Sequence, residues 1–144
     1  MPRLLTPYPS EKHLVESVSS QLSSGKSPWP PLALSHEFNF VGGRADIIAL
    51  DAEGRVLAFE AKLSRWRSAV NQAYKNTAFA HFSYVVLPEP SALVAAQAPE
   101  QFRLRSIGLC AACPDGLAVV FEAPQISPLL PGLTTEAAQA TTQP

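Results

Sequence analysis

Two neighbouring apolar stretches constrain this chain more than any other feature. They are Gly43-Arg44-Ala45-Asp46-Ile47-Ile48-Ala49-Leu50 and, after a short turn, Val56-Leu57-Ala58-Phe59-Glu60-Ala61-Lys62-Leu63. Both have the composition of buried β-strands, yet they carry Asp46, Glu60 and Lys62. An isolated charge is costly to bury, so charges kept in such strands pair with one another, hold a metal or face a cleft. An ion cluster on a solvated sheet face is the plainest alternative, and Ile47, Ile48, Leu57 and Phe59 argue against it.

The flanks place these strands in order. Ser10 can cap a helix running from Glu11 to about Leu22 and closing near Gly25, with Leu14, Val15, Val18 and Leu22 on one stripe. Glu11 falls on the same side as Leu14 and Val15, whereas Glu16 points roughly the opposite way. A first-turn carboxylate is also favoured by the helix dipole alone. Leu32 to Val41 reads as a strand, and Gly42-Gly43 turns it into the strand of Asp46. Asp51-Ala52-Glu53-Gly54 makes the next turn, so the three strands form an antiparallel meander. Ser64 can cap a second helix over Arg65 to Asn76, with Trp66, Ala69, Val70 and Ala73 inward. Ser83 to Leu87 is then a strand running parallel to the one before it. Ser91 to Phe102 is helix-prone with a break at Pro99, and Ile107–Ala112 and Leu117–Ala123 are strands around Pro114-Asp115-Gly116.

The order is α-β-β-β-α-β followed by an α-β-β extension, which implies an α/β fold with a mixed sheet flanked by helices. Residues 1–9 are expected to be extended, 10–123 to form a single domain, and 124–144, rich in Pro, Thr, Ala and Gln, to be a disordered tail.

On alternation, Glu60 and Lys62 share one face of their strand while Phe59 and Ala61 point away. Asp46, on the adjacent strand, reaches that face if the register allows. Two converging carboxylates are hard oxygen ligands suited to Mg²⁺, and an ammonium beside them can neutralise charge on a phosphate. Phosphodiester hydrolysis is the chemistry such a trio suits.

The spacing Asp46-x13-Glu60-x-Lys62, set in an α-β-β-β-α-β order, resembles the PD-(D/E)XK nuclease superfamily, which includes restriction endonucleases and archaeal-type Holliday-junction resolvases. The resemblance covers roughly residues 10 to 88. Ala45 stands where the family often has proline. Glu11 looks like the family's first-helix glutamate, and Gln72 like the glutamine some branches carry on the second helix. The resemblance implies a restriction-endonuclease-like fold and a Mg²⁺-dependent nuclease, with Mn²⁺ as a substitute, acting on DNA in repair, recombination or defence. It implies that Asp46, Glu60 and the carbonyl of Ala61 ligate the metal and that Glu11 binds it directly or through water. Lys62 would position or activate the attacking water, and Gln72 would orient Lys62 or the substrate backbone.

Arg44, Arg65, Arg67 and Lys75 are candidate phosphate contacts, since Arg65 to Lys75 contains no acid, although surface charge is the commoner role. The net charge of −1 gives no global attraction for nucleic acid, so any such contact must be local. Cys110-Ala111-Ala112-Cys113 lacks the two further ligands a zinc site needs and is read as packing. His13 and His81 show no ligand spacing, while His36, on the strand before Asp46, is a candidate for lining a cleft. No stretch has the length of a membrane span, and the N-terminus does not have a signal-peptide core. Two cysteines suit a reducing interior, so a cytoplasmic location is expected. Double-strand cutting with one site per chain would call for a homodimer. The rivals to the nuclease reading are a nuclease-fold module that no longer cuts, binding nucleic acid or a protein partner, and a purely structural α/β domain with a surface ion cluster.

Overall fold

The structure, a computed structural model, describes residues 8–142. Most of the segment expected to be extended, residues 1–7, lies outside them, as do the last two residues of the tail.

The chain folds as α1 (Glu11–Ser24), β1 (Ala33–Phe40), β2 (Gly43–Leu50), β3 (Val56–Ala61), α2 (Trp66–Asn76) and β4 (Phe82–Pro88). There follow α3 (Glu89–Ala95), α4 (Pro99–Arg103), β5 (Gly108–Cys113), β6 (Gly116–Phe121) and α5 (Pro131–Thr142). The six strands form one mixed sheet in chain order. The β1–β2, β2–β3 and β5–β6 pairs are antiparallel, as a meander and a hairpin require, and β3–β4 and β4–β5 are parallel across helical connections. The α/β expectation and the parallel β4 both hold.

Alternation along the central strands sorts the core into two layers. Leu57, Phe59 and Ala61 of β3 pack with Leu14, Val18 and Leu22 of α1, and Tyr84 and Val86 join them from β4. Val85 and Leu87 face the other way, onto Trp66, Ala69, Val70 and Ala73 of α2. The small alanines let α2 lie close to the sheet. Every residue of β3 is buried, as in a strand covered on both faces. α1 has the caps its sequence calls for: Ser10 Oγ accepts from the His13 amide, and Gly25 takes a left-handed φ of 85°. Ser64 does not cap α2 with its side chain. Arg65 occupies the cap position without a side-chain bond, and the Trp66 amide donates instead to the Ser64 carbonyl at 2.7 Å.

The C-terminal segment departs from the disorder expected of it. The amides of Ile126 and Leu130 donate to the carbonyls of His81 and Ala78, each at 2.9 Å, and α5 then lies over β1 and β2. Its Ala137 and Thr141 are buried, Leu133 packs beside them, and Thr141 Oγ1 meets Ser35 Oγ at 2.9 Å. These residues recur at a four-residue spacing, but a stripe made of one Leu, one Ala and one Thr has almost no hydrophobic contrast. Composition alone therefore hid the helix. Among the described residues, no helix is long and apolar enough to cross a membrane.

Candidate active site

The β2–β3 ladder stops at the Ile47–Phe59 pair, one residue short of Asp46 and Glu60. Where the backbones part, the two carboxylates replace the missing ladder bonds. The Asp46 amide donates to Glu60 Oε2 at 3.2 Å, and the Ala61 amide donates to Asp46 Oδ2 at 3.0 Å. The acids are thus locked face to face by each other's strands. Satisfying backbone amides is a structural service in its own right, but two carboxylates are a costly way to perform it.

The cost is visible in Glu60. It is 2% exposed, and its carboxyl is pushed up from 4.5 to about 8, first by burial and then by the negative charge of Asp46. The bonds from Asn76 and from the Asp46 amide oppose that rise. Burial and Asp46 thus both favour the protonated form of Glu60. Among the described residues, neither Asp46 nor Glu60 has an ion-pair partner.

Asp46 opens onto a cleft of about 820 Å³. Glu11, Val15 and Ser19 of α1 form one wall, His36 and Glu37 of β1 with Arg44 of β2 another, and Ala61 and Lys62 at the end of β3 close it. Glu60 sits behind this surface. The Lys62 amide donates to the Val86 carbonyl at 3.1 Å, which anchors the residue beyond the last residue of β3. Its Nζ lies 3.8 Å from Glu11 Oε1, while Glu11 Oε2 accepts from the Leu63 amide at 3.3 Å. Because the strand ends at Ala61, alternation does not carry Lys62 to the face of Glu60. Glu60 turns to α2 and Lys62 to α1, a correction to the shared face expected from spacing.

The other candidate residues divide. His36 does line the cleft, its Nε2 2.8 Å from Ser19 Oγ. Arg44 also lines it, 3.4 Å from Glu37, whose backbone takes the left-handed φ of 56° that is uncommon for a glutamate. Gln72 does not reach the site. Its amide oxygen lies over Gly43, Lys75 is beside it, and no hydrogen bond joins it to Lys62 among the described residues. The place beside Lys62 is taken instead by Glu11 of α1. Arg65 and Arg67 flank a separate, smaller depression with Trp66, and the Arg67 guanidinium lies 4.2 Å over the Trp66 ring. Trp66 itself stacks on Phe102 in the core. Cys110 and Cys113 are free thiols, Cys110 buried, consistent with packing.

Sequence reasoning missed Asn76. It is 1% exposed, and its Nδ2 donates to Glu60 Oε2 at 2.8 Å. The available signal was its spacing from Ala69 and Ala73, which puts an amide on the buried stripe of α2.

Among the described residues, no three His, Cys, Asp or Glu side chains gather into a cage that would hold a metal unaided. The donor chemistry at Asp46 and Glu60 nevertheless suits a hard cation. Mg²⁺ is commonly held by one or two carboxylates and otherwise by water, and a cation there would relieve the repulsion between the two carboxylates.

Neither a protein-family model nor a curated protein matches the chain. Among solved structures, a protein of unknown function from Silicibacter pomeroyi aligns with a TM-score of 0.63 at 18% identity, covering 96% of this chain and 86% of that one. That likeness concerns the fold.

Proposed function

We propose that this chain is a Mg²⁺-dependent nuclease of the PD-(D/E)XK type that hydrolyses phosphodiester bonds in DNA. The observation that carries the reading is the meeting of Asp46 and Glu60 where the β2–β3 ladder ends, with Lys62 lining the same cleft as Asp46. Asp46 and Glu60 would hold the ion, with the Ala61 carbonyl as a further oxygen and Mn²⁺ as a substitute. Bound there, the ion would supply Lewis acidity toward a phosphoryl oxygen and ease ionisation of a water.

The chain's own residues do the rest. Hydrolysis brings a water oxygen onto phosphorus as the bond to a deoxyribose oxygen breaks and the water's proton passes to that leaving oxygen or to solvent, and negative charge grows on the phosphoryl oxygens. Lys62 presents an ammonium where that charge appears. Glu11 holds Lys62 at the mouth of the cleft through the 3.8 Å ion pair, while its other oxygen ties α1 to the Leu63 amide. The resemblance made Glu11 a metal ligand; its contacts favour this supporting role. Arg44, on the cleft wall, and Arg65, Arg67 and Lys75, along α2, are the cations available to neighbouring phosphates.

The test is cleavage of single-stranded, duplex and branched DNA with Mg²⁺ or Mn²⁺. Wild type should cut at least one form, and Asp46→Ala and Lys62→Ala should each lower the rate by ~10²-fold or more. Wild-type protein that binds DNA but cleaves no form with either ion would replace this reading with that of a binding module.

A further inference from the structure

Asn76 is the last residue of α2, on a stripe otherwise made of Trp66, Ala69, Val70 and Ala73. An amide buried among such residues is costly unless bonded. Its side chain has one recorded partner, Glu60 Oε2 at 2.8 Å, and that same oxygen accepts from the Asp46 amide at 3.2 Å. A carboxylate oxygen offers two lone pairs, so Oε2 is fully used and Oε1 is the oxygen with room for another ligand. Rotation of the Glu60 carboxylate would break both bonds at once.

The kind of donor matters as much as its place. A lysine or arginine at this position would orient Glu60 equally well, but would also neutralise it and compete with a cation. An amide donates without charge, so the Asp46–Glu60 pair keeps its full attraction for a dication. The last turn of a helix also carries partial negative charge, which makes a neutral donor at this spot the main local compensation for the carboxylate beside it.

We infer that Asn76 is the positioning residue of the cation site: it fixes Glu60 with one oxygen engaged and the other left open to a ligand, and so sets divalent-cation affinity. The inference rests on the proposed metal-dependent reading of Asp46 and Glu60, and deepens it.

The experiment measures Mn²⁺ affinity by calorimetry, together with the rise in melting temperature that Mg²⁺ produces, at one fixed pH and without DNA. Partners that orient metal ligands are worth ~10–100-fold in affinity. Asn76→Leu, close in volume, should therefore weaken Mn²⁺ by at least tenfold and abolish most of the Mg²⁺-induced rise. Asn76→Ala, which removes the donor without adding bulk or charge, should weaken Mn²⁺ by a similar factor. Asn71→Ala, at an exposed position on the same helix, should behave as wild type. If Asn76→Leu folds and binds Mn²⁺ as wild type does, the inference falls while the metal reading stands. If Asn76→Leu does not fold, Asn76→Ala decides, and affinity equal to wild type overturns the inference. A wild-type protein with no response to either ion overturns the metal reading and this inference with it.

Discussion

At the scale of single residues, the central quantity is the proton on Glu60. In the unfolded chain its carboxyl ionises near 4.5; in the fold, burial and then Asp46 hold it protonated up to about 8. The folded state therefore binds the extra proton, and the stability this group contributes is fully present below about 4.5 and lost as pH rises toward 8. Within that window the loss approaches ~1.4 kcal/mol per pH unit. His81 acts in the opposite sense. Its Nδ1 accepts from the Val56 amide at 2.9 Å, and burial lowers its pKa, so its contribution is present above 6.5 and lost as pH falls. In metal-free buffer the melting temperature should fall from pH 5 to pH 8. Glu60→Gln should flatten that fall and expose the acid limb from His81, as read by circular dichroism across the range. A Glu60→Gln melting profile with the same pH dependence as wild type between 5 and 8 would show that Glu60 is ionised in the fold.

At the scale of elements, the strands and the first two helices were legible because their patterns have contrast. Leu14, Val18 and Leu22 against Glu16, Ser20 and Ser23 can form only one helical stripe. Asp51 to Gly54 can only turn, and Asp51 Oδ1 duly accepts from the Arg55 amide at 2.8 Å. α5 lacks such contrast and became visible only through what it covers: Ala45, Ile48, Phe38, Phe40 and Phe79 on the second face of the sheet. If that cover is part of the core, removing residues 125–144 should lower the melting temperature by on the order of 10 °C. It should also raise binding of a hydrophobic dye to the folded protein. An unchanged melting curve would mean that the sheet is closed without α5.

At the scale of the molecule, a net charge of −1 means that the proposed contact with DNA would depend on a few local cations. Arg44 is paired with Glu37 and Lys62 with Glu11, which blunts both in the cleft. Arg65 and Arg67 have no acid within ion-pair distance among the described residues, and stacking on Trp66 holds the Arg67 plane in place. Binding of a duplex oligonucleotide, followed by fluorescence anisotropy, should therefore weaken steeply with salt. The Arg65→Ala/Arg67→Ala variant should reduce the log–log salt slope by up to about 2. An unchanged slope would remove α2 from the proposed nucleic-acid surface.

The order of elements, the three-strand meander, the parallel fourth strand and the anomaly of Asp46, Glu60 and Lys62 were all decided locally, by apolar period, turn residues and charge in the wrong place. Which of those charges meet was decided by tertiary structure. The ladder ends at Ile47 and Phe59, so Asp46 and Glu60 bond to each other's backbones. β3 ends at Ala61, so Lys62 turns to α1 and Glu11 instead of to Glu60. The last turn of α2 lies beneath Glu60, so Asn76 holds the carboxylate while Gln72 sits over Gly43. The reason is one of range: local sequence sets the period of an element, whereas where a ladder stops and how a helix crosses it depend on packing between residues far apart in the chain.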